Sequence, residues 1–378
     1  MRVLFLTKYH VRRDATIEVF GALSNHLRAF GVEVAIYSSD PSAAEGPLPG
    51  GTKCVHGPLP KPAFWSLPFA ARRIVSWCRK NDVDLIHAHG LYRGGWAARE
   101  VAKRTGLPYV VTSHGDIAMT SSRMRRPDVR RRCRLILTDA SAVTHLSTAM
   151  AELAYQFADV RAKSCIITNG LDLAAWGAPG PPPADGYVLA IGRLVAQKGF
   201  GTLLEAVARL KQQGSAPSFV VAGQGPEQEV LEKQAGALGL PVCRRIEELP
   251  RGVGAVCFPG YVSGEIKRKI YAGARVVAFP SRGSEAFGLV LIEAMAAGRA
   301  VVASDLPAVQ EIVTDGRNGL IVPAENVAAW ADAIQKLLSD DALRGQMERA
   351  NREDVTRYDW RPIAGQYAEL YRRVLAKS

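Results

Sequence analysis

Ser281–Ser304 reads SRGSEAFGLVLIEAMAAGRAVVAS, directly after the apolar run Val276, Val277, Ala278 and Phe279. The run ends in Pro280 and Ser281, the pattern of a buried strand passing into a loop, so Glu285 falls in a loop at the carboxyl end of a strand. From Leu289 the residues are helix formers without a breaker, and Gly298 stops the helix before a second strand begins at Ala300. The unit is strand, loop, helix, strand. Its first helical turn leaves backbone N–H groups unpaired at Gly288, Leu289 and Val290, and the helix dipole adds positive potential, which makes the turn a receptor for an anion such as phosphate. Glu285 before the turn and Glu293 about one turn inside it flank that anion with two carboxylates, whose natural partners are hydroxyl-rich groups.

Two glutamates eight positions apart in SEAFGLVLIEAMAAG resemble the signature of retaining, nucleotide-sugar-dependent glycosyltransferases of the GT-B fold, the family 4 or group 1 type. That resemblance implies an α/β chain of two Rossmann-like, doubly wound parallel-sheet domains facing across a cleft. It implies that Glu285 hydrogen-bonds the donor sugar and Glu293 the nucleotide ribose, with Phe287, Gly288, Leu289 and Val290 also on the donor-binding surface. The plain alternative is an amphipathic helix with incidental acids.

A chain of 378 residues fits two domains, each large enough to bury its own core. It is 48% hydrophobic, with no apolar run near the roughly 20 residues of a membrane-spanning helix. The start, MRVLFLTKYH, is too short and too soon charged for a signal peptide, so a cytoplasmic protein is expected. Six cysteines are scattered without a CxxC or a nearby His pair, which points to buried thiols and to neither zinc nor a disulfide framework. The net charge of +12 is uneven: residues 1–180 hold 24 Lys and Arg against 14 Asp and Glu, residues 181–378 hold 24 against 22. A field concentrated in the first half suits an acidic membrane surface, a nucleic acid or an anionic substrate.

The first half alternates strands and helices. Val3–Thr7, Val32–Tyr37, Leu85–Ala88, Tyr109–Thr112, Ala142–Leu146 and Ser164–Thr168 read as strands, with a helix over Ala22–Phe30. Parallel sheet follows, and ligands of such sheets bind beyond the carboxyl ends of the strands. The residues found there are polar: His87 and His89, Ser113 and His114, Ser147, and Asn169. A histidine after a strand is commonly a local hydrogen-bonding group, but the resemblance makes His114 the residue that reaches the donor sugar from the amino-terminal domain. His87 and His89 read as structural. Asp82 and Asp84 form a DxD pair, a metal motif elsewhere, but they precede their strand, so no metal is expected. Where the family carries Gly-Gly after the first strand, near donor phosphate and acceptor, this chain has Asp14 and Ala15, followed by Thr16. An aspartate there repels phosphate, so this acceptor-side loop departs from the pattern.

Gly177–Gly186, GAPGPPPADG, continues neither helix nor ladder and reads as an interdomain linker between residues 1–176 and 187–360. Beyond it, Tyr187–Ile191 and Phe219–Ala222 are strands. Gly192, Arg193 and Lys198 follow the first of them, and two cations in one strand-end loop suit a diphosphate better than a structural role. Gly223 opens GQGP after the second, a weak phosphate signal alone and near the nucleotide by resemblance. Val262 and its neighbours, following the strand Ala255–Phe258, are expected to border the base, though VCRRIEELPRGVGAVCFPGYV matches the family poorly and leaves the base unread. The tail is helical, with residues 361–378 expected to pack back on the first domain and Trp360 marking the turn.

These parts imply a retaining hexosyltransferase using a nucleotide-sugar, UDP-linked before GDP-linked, without cofactor or metal. A nucleic-acid binder would leave the two-glutamate loop idle, and a dinucleotide oxidoreductase would need GxGxxG after the first strand, where KYHVRRDA stands. A sugar-nucleotide epimerase is the rival from another class. For the acceptor, RMRRPDVRRRCR (123–134) and FWSLPFAARRIVSWCRK (64–80) set basic groups beside large apolar ones such as Phe64, Trp65 and Phe69. Both stretches have dull readings, a solvated helix face and a domain core. Together they point to a peripheral protein resting on an anionic membrane face and serving a lipid-linked acceptor. A soluble sugar or secondary-metabolite acceptor is the alternative.

Overall fold

The computed structural model describes residues 1–7, 15–41, 46, 48, 51–57, 59, 67–115, 126–215, 217–250, 252–283 and 285–377. Side chains are described from residue 19 in the first helix and from residue 71 in the second. The chain forms two compact units, Met1–Asp172 together with Tyr358–Ser378, and Leu173–Arg357.

In chain order the first unit contains β1 (Arg2–Thr7), α1 (Ala15–Arg28), β2 (Glu33–Ser38), β3 (Lys53–His56), α2 (Leu67–Lys80), β4 (Leu85–His89), α3 (Trp96–Thr105), β5 (Tyr109–Ser113), α4 (Pro127–Asp139), β6 (Ala142–His145), α5 (Thr148–Tyr155) and β7 (Ser164–Ile166). Its sheet is parallel, in the order β3-β2-β1-β4-β5-β6-β7. The central strands β4, β5 and β6 are buried along their whole length, which is why they read as continuous runs rather than alternations. Helix α1 starts at Ala15, ahead of the expected Ala22. Its core-facing stripe of Val19, Phe20, Leu23 and Leu27 begins before Gly21, which masks the helical signal without breaking the helix.

The second unit holds α6 (Leu173–Trp176), β8 (Tyr187–Ile191), α7 (Phe200–Gln212), β9 (Phe219–Ala222), α8 (Gln228–Ala237), β10 (Val242–Cys243), β11 (Val256–Cys257), α9 (Gly264–Ala272), β12 (Ala274–Phe279), α10 (Leu289–Ala296), β13 (Ala300–Ser304), α11 (Pro307–Gln310), β14 (Gly319–Val322), α12 (Val327–Ser339) and α13 (Asp341–Asp354). Its sheet is also parallel, ordered β10-β11-β9-β8-β12-β13-β14. Leu203, Val207, Val221, Val276, Val302, Trp330 and Ile334 belong to one buried cluster against it. Because β9 and β12 lie on opposite sides of β8, the strand order reverses there and leaves a crevice beyond the carboxyl ends of β8 and β12.

The proline-rich Gly177–Gly186 lies inside the second unit and is not the crossing between units, which falls at Asp172–Leu173. Arg275 Nη1 donates to Ala184 O at 3.0 Å, and Gly186 N to Pro183 O at 3.0 Å, so side-chain and turn hydrogen bonds anchor the segment. The closing helix α14 (Trp360–Leu375) belongs to the first unit, with Trp360 against Gly170 and Gly365 against Phe30.

Candidate active site

Three strand-end loops of the second unit press together at the crevice, and glycines permit it. A Cβ on Gly223, where φ is +140°, would lie 1.8 Å from Gly192 O, and one on Gly225 2.2 Å from Leu194 O. The loops are pinned by Leu194 N donating to Gln224 O at 3.0 Å and Gly223 N to Gly260 O at 2.8 Å. GQGP is therefore a site of close backbone approach as well as a turn. On the other side, Gly199 (φ +67°) could not carry a Cβ, which would fall 2.1 Å from Pro280 O, and Arg282 N donates to Gln197 O at 2.8 Å.

This contact brings Lys198, at the end of a short 3-10 turn, onto Glu285 of the loop after β12. Lys198 Nζ donates to Glu285 Oε1, and Ser281 Oγ donates to the same oxygen at 2.5 Å. The lysine also stands 5.3 Å from the centre of the Phe279 ring. The cation expected on a diphosphate and the carboxylate expected on a sugar are each other's partner. Arg193, in the same strand-end loop as Lys198, is exposed. Gly288 caps α10 with φ +115° and, among the described residues, no side chain makes a capping hydrogen bond there; Leu289 and Val290 are half-buried and Phe287 is buried.

Glu293 is buried in α10 and fully engaged. Lys267 Nζ donates to its Oε1 at 2.7 Å and the Tyr271 hydroxyl to its Oε2 at 2.8 Å, both from α9. The Trp176 ring meets Tyr271 edge-on at 5.4 Å. Lys267 was not foreseen: in GEIKRKIYA it reads as one more charge on a solvated face. The available signal is its spacing of four from Tyr271, which puts both on one side of the helix. Val262 lies in the segment between β11 and α9, half-way down the gap to Lys267.

In the first unit His114 follows β5, half-buried, with Nε2 2.9 Å from His89 Nδ1. Desolvation pushes His114 down to about 4 and His87 and His89 well below the usual histidine range, so all three rings are neutral at neutral pH. His87 is held by the Tyr371 hydroxyl at 2.6 Å and Thr112 Oγ1 at 2.7 Å. Asp82 and Asp84 sit at the opposite, amino-terminal edge of the sheet, where both engage Arg2. Among the described residues no three His, Cys, Asp or Glu converge as a metal site. Asp14 lies outside the described residues, and Ala15 and Thr16 open α1 with their side chains undescribed.

The arginines of α4 are partly structural. Arg130 stacks on Phe157 with 4.7 Å to the ring centre, Arg132 lies 5.8 Å from that of Trp96, and Arg126 pairs with Asp128. Phe64 and Trp65 lie outside the described residues, as does the side chain of Phe69. Further along α2, Arg72, Arg79 and Lys80 are exposed and line a cavity of about 370 Å³ with Arg104 of α3.

Two parallel seven-stranded sheets, each flanked by helices, define a two-domain α/β GT-B fold. Residues 19–175 match the family described as Glycosyltransferase Family 4, and residues 178–354 match Glycosyl transferases group 1. The chain belongs to this glycosyltransferase family. It is 31% identical over 315 residues to the phosphatidyl-myo-inositol mannosyltransferase of Mycolicibacterium smegmatis, covering 81% of this chain and 75% of that one. It is 30% identical over 347 residues to the D-inositol 3-phosphate glycosyltransferase of Corynebacterium urealyticum, covering 84% and 80%. Among solved structures, sucrose-phosphate synthase from Thermosynechococcus elongatus aligns over 100% of both chains with TM-score 0.81 at 23% identity. Anabaena Alr3699/HepE in complex with UDP aligns over 98% and 99%, with TM-score 0.79 at 20% identity. No helix among the described residues is long and apolar enough to cross a membrane.

Proposed function

We propose that this glycosyltransferase is a retaining, metal-independent hexosyltransferase that takes its sugar from a nucleoside diphosphate, UDP before GDP, and gives it to a hydroxyl of a lipid-linked acceptor in envelope glycolipid or polysaccharide assembly. The observation that carries the reading is the Lys198–Glu285 pair, formed between the loops after β8 and β12, together with the glycine-capped start of α10 that follows. In the reaction the bond from the anomeric carbon to the diphosphate oxygen breaks, and negative charge grows on the departing phosphate. Arg193, Lys198 and the N–H groups of Leu289 and Val290 are placed to hold that charge. Donor binding draws Lys198 toward phosphate and frees Glu285 Oε1 for sugar hydroxyls; the family resemblance gives His114 a sugar-facing role. The acceptor hydroxyl attacks the face the phosphate leaves, and its proton passes to the departing phosphate oxygen.

The exposed cations of α2 support a peripheral stance on anionic lipid, and the lipid acceptor in the name of the M. smegmatis relative agrees with it. A soluble, phosphate-bearing acceptor is the second reading, supported by the name of the C. urealyticum relative.

The test is release of nucleoside diphosphate from UDP-glucose, UDP-N-acetylglucosamine and GDP-mannose, with and without vesicles containing phosphatidylinositol, before and after EDTA. Transfer with the donor's anomeric configuration kept, undiminished by EDTA, is expected. An inverted product, restoration only by a divalent cation, or no nucleotide bound in calorimetry would each overturn the corresponding part. Failure to co-sediment with anionic vesicles at low salt moves the acceptor to the soluble reading.

A further inference from the structure

His89 is buried and takes no part in the reaction as set out above. Its Nδ1 faces His114 Nε2 at 2.9 Å, and its Nε2 has no hydrogen-bond partner among the described residues. The rings of Phe5, Phe20 and His87 enclose it at centroid distances of 4.5, 4.4 and 4.1 Å. One proton occupies the His89–His114 hydrogen bond, and there are two places it can come from. Were His114 Nε2 the donor, a neutral His89 would keep its own proton on Nε2, a buried N–H with no hydrogen-bond acceptor. With His89 Nδ1 as donor, Nε2 is a bare acceptor among aromatic rings, the lesser burden, since orphaned buried N–H groups are rarer than under-satisfied acceptors.

We infer that His89 is a positioning residue whose Nδ1–H donates to His114 Nε2 and holds His114 in the tautomer with its proton on Nδ1. His114 then carries an N–H, and not a lone pair, at Nδ1. The inference rests on the proposed place of His114 at the donor sugar. It agrees with a route in which the acceptor's proton goes to phosphate. The burial that keeps both rings neutral leaves a single proton on each, so fixing one end of the hydrogen bond fixes the other.

The test is ¹⁵N NMR of the full chain with labelled histidines at pH 7, the His114 signals being assigned by their loss in His114→Asn. A protonated Nδ1 and a bare Nε2 on His114 are expected, and a protonated Nε2 overturns the inference whether or not His89→Phe folds. His89→Phe keeps a ring and removes the donor. It should abolish the tautomer preference and lower kcat/KM by roughly ten- to a hundredfold, the usual loss when a group orienting a histidine is removed, with affinity for UDP unchanged. His89→Asn, which keeps an N–H near the position of Nδ1, should restore most of both. An unaltered tautomer or unaltered kcat/KM in His89→Phe refutes the positioning role. Because the tautomer is read without donor or acceptor, the expected tautomer in a protein that transfers sugar from no nucleotide would sink the proposed reaction while upholding the hydrogen bond.

Discussion

Glu293→Gln should destabilise the second unit, by an amount set by the burial of its partner. Lys267 and Glu293 are 12% and 7% exposed in their side chains and 2.7 Å apart, so this is a buried ion pair. Stripping one partner from such a pair costs about 3–5 kcal/mol, because the other charge stays out of water. Glutamine keeps an oxygen that still accepts from Lys267, so the lower end, about 3 kcal/mol, applies. At about 2–4 °C per kcal/mol for a unit of this size, the melting temperature should fall by about 6–12 °C. Lys267→Met strands the carboxylate instead and should cost about as much. The double variant strands no charge, and replacing both members of a buried pair is often nearly neutral, so it should melt within about 3 °C of the parent. Differential scanning calorimetry without nucleotide measures all four proteins. If the double variant loses the sum of the two single losses, Lys267 and Glu293 do not act as a pair and the account of α9 holding α10 fails.

Glu285→Gln should cut transfer far more than UDP affinity, whereas Glu293→Gln should weaken UDP binding by roughly 1–3 kcal/mol, the worth of a charged hydrogen bond; calorimetry and turnover together separate them, and equal effects on binding refute the division. Gly223→Ala should abolish nucleotide binding and lower the melting temperature sharply, its Cβ falling 1.8 Å from Gly192 O. Gly236→Ala, in the last turn of α8 with nothing within 4 Å, should by contrast stabilise by about 0.4–1 kcal/mol. Acid should destabilise the first unit. His145, buried with Nδ1 unpartnered, and His114 are both held down to about 4 by desolvation, while an unfolded histidine takes its proton near 6.5. The unfolded chain therefore binds more protons between those values, and stability present above about pH 6.5 is lost as pH falls toward 4, by roughly 2 kcal/mol for His145 at pH 5. Melting temperatures that do not fall between pH 7 and pH 5 would contradict this.

The fold was legible where burial on both faces writes an uninterrupted run, as in VVAF before Pro280 or YVVTS at β5. It was not legible at β3, whose KCVH is exposed at both ends on a sheet edge, or at the two-residue β10. The turn Leu91–Gly95 also escaped. Its two glycines are required by neighbours distant in the chain, a Cβ on Gly94 falling 2.9 Å from Leu6 O and one on Gly95 2.7 Å from Ile136 Cγ2. Composition cannot distinguish a free proline run from one anchored by Arg275, so Gly177–Gly186 read as a linker. In the site, Glu285 and Lys198 could each be placed at a strand end, but their meeting depends on β8 and β12 being neighbours, a fact of strand order and not of either loop. Lys267 and His89 carry no local sequence signal of their contacts because their partners, Glu293 and His114, lie 26 and 25 residues away.

The chain leaves the first unit at Asp172 and re-enters it only at Tyr358. On a ribosome, β4, β5 and β6 therefore emerge early with His87 and Thr112 unfinished, because Tyr371, the partner of His87, is made after all of the second unit. Protease protection of stalled chains should appear in residues 173–357 before it is complete in residues 1–172. Though translated first, the histidine cluster is finished last, after the strand-end loops that carry Lys198 and Glu285 have been made.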